Sequence, residues 1–179
     1  TAGLLDTHLG VILPTVAFNV PVTIFIMRAF FATLPRELFD AARMDGASEW
    51  SIFARVALPI ARPAIAAGLA LGGKIAATCN AAPFLISRAN EQIKVDVCYN
   101  QANVKMFGLN AGTSYGPLAS THHSLDDISV MRGFGNVQIF APADAVECRQ
   151  IVDYALRHAG PVYIRLDGKA LPDVHGADY

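Results

Sequence analysis

Lysine and cysteine are absent from the first 73 of 179 residues, and the whole chain carries four lysines, three cysteines and one tryptophan. Three cysteines cannot all pair, and Cys79, Cys98 and Cys148 lack C-x-x-C spacing, so neither a disulfide scaffold nor a zinc site is indicated. Charge is also scarce, at 16% against the usual ~25%. A net charge of −1 excludes a generically basic chain that coats nucleic acid. There is no internal repeat, no low-complexity tract and no starting Met, so Thr1 reads as the cut end of something longer. What is present is apolar: 53% of residues, with a mean hydropathy of +0.37, which excludes a disordered chain. A membrane piece, a buried-sheet α/β piece or both remain. The chain reads as both.

The seam lies near Gly73. All lysines and cysteines and four of the five histidines follow it, and long helical patterns give way to short apolar runs alternating with helices. Before it, Leu9 to Met27 is free of charge, long enough to cross ~30 Å of hydrocarbon at ~1.5 Å per residue. Pro14, Asn19 and Pro21 weaken it as a soluble core helix but are tolerated between packed membrane helices. The alternative is a long buried helix of a soluble protein. Arg28, Arg36, Arg43, Arg55 and Arg62 follow, placing that loop on the cytoplasmic side of an inner membrane by the positive-inside bias.

Within the loop, Pro35 suits a first helical turn, Glu37 and Asp40 suit the positive end of the helix dipole, and Gly46 suits a left-handed stop. Ser48 caps a second helix, with Trp50, Phe53, Ala54 and Ala57 on one face, which Leu58-Pro59 ends. Periodicity alone leaves a surface helical hairpin open. Asp40-Ala41-Ala42, three residues, Gly46, nine residues and Val56-x-Leu58-Pro59 resemble the EAA loop of ABC importer permeases, and the run LPRELFDAARMDGASEWSIFARVALPIARPAI resembles the carbohydrate-uptake branch. The resemblance covers roughly residues 4–70. It implies that residues 35–59 couple a cytoplasmic ATPase to membrane helices, with Asp40, Ala41, Ala42 and Gly46 as docking positions. Asp40 stands where the family has Glu.

The second segment reads as soluble α/β. Strands are predicted at 75–79, 104–109, 137–140 and 162–166, and helices at 83–97, 125–131 and 143–158. Phe84, Ala89, Ile93 and Val97 form one apolar face; Cys148, Ile151, Val152, Ala155 and Leu156 form another. Strands alternating with helices imply a parallel sheet, with the three cysteines as small core residues. The loop 110–124 lies at the carboxyl end of a strand, where open α/β sheets bind ligands. A metal at His122, His123, Asp126 and Asp127 is disfavoured because adjacent histidines point apart and both acids are ordinary first-turn residues. A Ser120, His122, Asp126 triad has no G-x-S-x-G support.

The stretches AAGLALGGKIAATCNAAPFLISRANEQIKVDVCYNQANVKMFGLNAG and STHHSLDDISVMRGFGNVQIFAPADAVECRQIVDYALRHAGPVYIRL resemble the pyrimidine-binding domain of transketolase-like thiamine-diphosphate enzymes. The similarity runs from about Ala66 to the C-terminus and favours the small C-terminal subunit of split transketolases. It implies an aromatic platform for the cofactor's aminopyrimidine at Phe84, or else a core residue there. It further implies a substrate-binding, catalytic histidine at His122 and, more weakly, a substrate-phosphate residue at Arg165. Thiamine diphosphate would be bound with magnesium held by a partner domain, supplied by a complementary N-terminal subunit or a homodimer.

Two departures matter. The family's activating glutamate falls on Pro59, and the acid many members place before the Thr-His pair is replaced by Leu118-Ala119-Ser120. The expected architecture is therefore α/β. Residues 1–70 form a helical segment, a transmembrane helix plus a helix-turn-helix loop. Residues 71–179 form a partial parallel sheet of the thiamine-diphosphate-binding fold, cytoplasmic and incomplete at its N-terminus. The chain joins two family fragments across Ala66–Leu71, and alone it is expected to perform neither ketol transfer nor transport. A membrane-tethered cofactor module is the alternative.

Overall fold

Thr7 opens the first helix: its hydroxyl accepts a hydrogen bond from the Gly10 amide at 3.1 Å. The computed structural model describes residues 7–169 and 171–176, excluding the side chains of residues 18, 19, 22, 23, 25, 26, 29, 30 and 33. The chain divides into two compact units, Thr1–Ala57 and Leu58–Tyr179.

In the first unit, α1 (His8–Thr33) continues through Pro14 and Pro21. Leu9, Val11, Ile12, Leu13, Val16 and Ile24 are all exposed on it. The predicted span 9–27 lies within α1, although the side chains of Asn19 and several neighbours fall outside the described residues. Next comes α2 (Arg36–Met44), whose N-cap is Pro35. Gly46 then turns the chain at φ +77°, and α3 (Glu49–Ile52) starts where the Ser48 hydroxyl accepts from the Ser51 amide. Arg43 ties the two helices, bonding Asp40 at 2.9 Å and Glu49 at 2.7 Å.

Two expectations for this helix are corrected. A π-helical turn, Phe53–Ala57, follows α3, and α4 (Leu58–Leu71) continues directly, so Leu58-Pro59 does not end the helix. The wide turn already departs from the i→i−4 ladder, so Pro59's missing N–H interrupts little. The same turn rotates the apolar face. Ile52 and Ala57, five apart, are buried, whereas Trp50, Phe53 and Ala54 are exposed. Among the described residues the run Glu49–Leu71 is long and apolar enough to cross a bilayer. Its Ala66, Ala67 and Ala70 nevertheless pack in a protein core.

The second unit holds a four-stranded, wholly parallel sheet in the order β1-β2-β4-β3: β1 (Ala76–Ala81), β2 (Val104–Leu109), β3 (Gln138–Phe140) and β4 (Val162–Arg165). Alternation along β4 splits the core in two. Tyr163, with Val104 and Met106, packs beneath α4 and Leu85, Ile86, Ile93, Val97 and Met131. Val162 and Ile164 face Ile151 and Ala155 of α8 (Ala145–Arg157). Lys105, 1% exposed, donates through Nζ to the carbonyls of His158 and Gly160 at 2.8 and 2.7 Å, holding the end of α8 against β2. Among the described residues β1 is an edge strand.

The predicted helix 83–97 is three pieces: α5 (Ala82–Ile86), α6 (Asn90–Gln92) and a π-helical stretch Ile93–Tyr99, separated from α5 by a turn at 87–89. That break rotates Phe84 off the buried face carrying Ala89, Ile93 and Val97. Cys98 is buried as expected, but Cys79 is exposed, because edge strand β1 leaves one face uncovered. α7 (Asp127–Arg132) completes the unit.

Candidate functional site

A parallel sheet brings the carboxyl ends of all its strands to one edge. Here β1 runs into α5 with Phe84, β2 into the loop 110–124, and β4 ends on Arg165. The loop is pinned at its base by Gly112 and Ser124, whose amides and carbonyls exchange hydrogen bonds at 3.0 and 2.9 Å. Between them lies a 3-10 turn, Gly116–Thr121, in which Ala119 takes φ +53° and ψ −152°, a conformation costing a non-glycine residue ~1–3 kcal/mol. The strain has a visible consequence. The Ala119 carbonyl accepts the amides of both His122 and His123 at 3.0 Å, and the two rings diverge.

His123 Nε2 lies 3.2 Å from the Gly116 carbonyl. His122 turns the other way, its ring centroid 5.1 Å from that of Phe84 and 5.4 Å from that of Tyr115, edge-on to each. Nδ1 of His122 sits 2.9 Å from the Thr121 hydroxyl, which donates to the Leu118 carbonyl at 3.0 Å. A hydroxyl has one proton, so while Thr121 donates to Leu118 the histidine Nδ1–H donates to Thr121, and in a neutral imidazole so arranged Nε2 is the acceptor nitrogen. The fold thus brings two sequence-singled residues, Phe84 and His122, into contact from separate segments. Phe84 is half-buried, and the Arg88 guanidinium covers one face of its ring at 4.1 Å.

Arg165 stands at the same edge, but its Nε is engaged by Asp127 at 3.0 and 3.3 Å. Asp127 is 1% exposed and also accepts from the Tyr163 hydroxyl at 2.8 Å. Burial and this carboxylate push the Tyr163 hydroxyl far above the usual phenol range. Sequence reasoning treated Asp126 and Asp127 alike. Asp126 is exposed, whereas Asp127 is a buried hub. The available signal was Tyr163 and Arg165 at i, i+2 on one strand, which places both on a single sheet face. Arg88 and Tyr115 were also missed.

Of the alternatives, a Ser120, His122, Asp126 triad gains no support, because His122 Nδ1 is held by Thr121. Among the described residues no cluster of three or more His, Cys, Asp or Glu could hold a metal. In the first unit, Asp40 and Ala41 are exposed and Ala42 half-buried on α2, which buries none of its residues, and Gly46 makes the bend.

For an aromatic cofactor ring, Phe84 is a fitting platform, since one aromatic face is backed by a cation and its edge meets His122. Position 59, which the family resemblance makes the activating acid, holds proline. The residues present fit ring stacking at Phe84.

Residues 61–173 match the family described as the transketolase pyrimidine-binding domain. Residues 2–76 match the binding-protein-dependent transport system inner membrane component, and the two matches overlap across residues 61–76. The chain is 78% identical over 114 residues to an apulose-4-phosphate transketolase subunit of Actinobacillus succinogenes, covering 64% of this chain and 37% of that protein. It is 49% identical over 65 residues to the diacetylchitobiose uptake system permease protein NgcG of Streptomyces coelicolor, covering 36% of this chain and 22% of the relative. Among solved structures, a split-gene transketolase described as an inactive beta4 tetramer superposes with a TM-score of 0.60 at 38% identity, over 67% of this chain and 38% of that one. The chain therefore spans little more than a third of the transketolase relatives it matches.

Proposed function

Because the chain belongs, through residues 61–173, to the transketolase pyrimidine-binding domain family, we propose that its α/β unit is one wall of a thiamine-diphosphate site for ketol transfer between sugar phosphates. The observation that carries this reading is the convergence of Phe84 and His122, 5.1 Å apart between ring centroids, at the carboxyl edge of the parallel sheet. Phe84 stacks on the aminopyrimidine. His122 accepts a substrate hydroxyl proton through Nε2, and Arg165 receives a substrate phosphate. Thiamine diphosphate, when bound, supplies the nucleophilic carbon; its diphosphate and magnesium are held by a complementary N-terminal subunit or a second copy. Residues 71–179 act in the cytoplasm.

Pro59 removes the activating acid, so the isolated chain holds the ring without turning over. The test combines the chain with a complementary N-terminal transketolase subunit and measures cofactor binding by near-ultraviolet circular dichroism alongside ketol transfer. Binding without turnover is expected, and Phe84→Ala weakens binding by ~1–3 kcal/mol, the usual worth of a base-aromatic stack. Robust turnover refutes the role of Pro59. Unchanged binding in Phe84→Ala refutes the stacking assignment.

A second reading applies to residues 1–70, favoured by the permease match and by the exposed α2 and its glycine bend. Joined to the further membrane helices of a permease, residues 9–27 cross the inner membrane, and Asp40, Ala41, Ala42 and Gly46 dock on an ABC ATPase; the isolated chain is not expected to couple. Nucleotide-dependent retention on such an ATPase in detergent would show coupling competence; its absence is expected, because one segment cannot line a pathway.

A further inference from the structure

A carboxylate removed from water costs several kcal/mol unless it is paired and hydrogen-bonded, so a fully buried one marks a built arrangement. Asp127 is such a group. Its partners, Tyr163 and Arg165, alternate along β4 and so rise from one sheet face to meet the first turn of α7. Room for Tyr163 comes from the neighbouring strand: a Cβ at Gly108 would lie 2.8 Å from Cε2 and 2.9 Å from Cζ of the ring, and closer still to the hydroxyl.

The pairing is lopsided. Arg165 donates to both carboxylate oxygens through Nε, at 3.0 and 3.3 Å, and its terminal nitrogens make no hydrogen bond among the described residues. The side chain is 29% exposed, and Nη2 lies towards Gly112, where a Cβ would sit 3.3 Å away. Asp167 lies near enough to feel the charge of Arg165 but makes no hydrogen bond to it; it accepts from the Ser114 hydroxyl and the Gly168 amide, both at 2.6 Å. A guanidinium anchored at Nε keeps a planar pair of amino groups for a second oxyanion, a geometry that suits phosphate.

We propose that Asp127, itself held by Tyr163, is a positioning residue that locks Arg165 at Nε so that its terminal amino groups receive the phosphate of a sugar phosphate. This rests on the phosphate role given to Arg165 above. Tyr163 sets the carboxylate, the carboxylate sets the guanidinium, and the guanidinium meets the ligand.

The test uses the full chain in mild detergent, with ribose 5-phosphate as probe, ribose as control, and the side-chain Nε–H signal of Arg165 read by nitrogen-15 NMR. In the wild type this proton exchanges slowly and shifts with ribose 5-phosphate but not with ribose. Asp127→Asn speeds exchange and weakens binding by about tenfold, the low end of the ~10–100-fold that loss of an outer-shell partner costs a ligating side chain. Tyr163→Phe acts in the same direction with a smaller loss, and Arg165→Gln abolishes binding. If Asp127→Asn does not fold, Tyr163→Phe decides: unchanged exchange and unchanged affinity overturn the proposal. A folded Asp127→Asn that binds as tightly as wild type, with Arg165→Gln still deficient, overturns the positioning role alone. Undiminished binding by Arg165→Gln overturns the phosphate assignment itself, and absence of binding to the wild type overturns both.

Discussion

Replacing Gly108 by alanine tests whether the sheet is built around the Tyr163 hydroxyl. The new Cβ would stand 2.8 and 2.9 Å from ring carbons Cε2 and Cζ, whereas carbon atoms rest at ~3.5–4.0 Å. The ring must therefore retreat by roughly 0.7–1 Å. Tyr163 is fully buried and cannot swing into solvent, so the retreat is expected to spoil the geometry of its 2.8 Å hydrogen bond to Asp127. Overpacking costs ~1–3 kcal/mol and a hydrogen bond to a charged group contributes ~1.5–3, so Gly108→Ala is expected to lose about 2.5–6 kcal/mol. Gly68, exposed in α4 with no atom within 4 Å of a built Cβ, is the opposite case, where alanine should gain ~0.8–1.0 kcal/mol from helix propensity. The assay is urea denaturation of the full chain followed by far-ultraviolet circular dichroism. Repeating Gly108→Ala in a Tyr163→Phe background removes the hydrogen-bond part and leaves ~1–3 kcal/mol. A wild-type midpoint for Gly108→Ala, or the same cost in both backgrounds, refutes the reasoning.

Thiol reagents at mild alkaline pH should modify exposed Cys79 and spare buried Cys98, whose thiol is pushed up to about 11 by burial; labelling of Cys98 in the native state would contradict its placement. The sign follows for stability. An unfolded chain ionises that thiol near its ordinary value of 9.0 while the folded chain does not until about 11, so its contribution is whole below pH 9 and lost as pH rises towards 11. Asp144 caps α8 through the Glu147 amide and ties the tail through Val174, His175 and the His175 ring, and these bonds hold its carboxyl well below the usual range. That tether is present above about pH 4 and lost on acidification, so proteolysis within 171–176 should quicken at low pH and, at neutral pH, in Asp144→Ala. Lys105→Met strips the ammonium from the His158 and Gly160 carbonyls; a loss of ~1.5–3 kcal/mol is expected, read as faster amide exchange in the last turn of α8.

The four strands were legible to within a residue or two, because short apolar runs alternating with helical patterns leave few other structures open. Helix boundaries set by backbone chemistry were legible too, such as Ser48 at the start of α3 and the left-handed Gly46 before it. The π-helical turn at Phe53–Ala57 and the break at 87–89 were not: each redirects the buried face while leaving composition untouched, which is why Trp50 and Phe84 were read on apolar faces they do not share. In the site, Phe84 and His122 were named from the sequence, but the contact between them came from the parallel sheet and from the strained turn at Ala119.

Sequence alone determined that an apolar, lysine-free helical stretch precedes an alternating α/β stretch. These properties belong to single residues and local period, which need no distant partner. Only the tertiary structure decided that Asp127 is a hub while Asp126 faces water, and that Gly108 exists to admit Tyr163. Such distinctions depend on which faces meet across the sheet, and adjacent residues of one type differ in that respect alone.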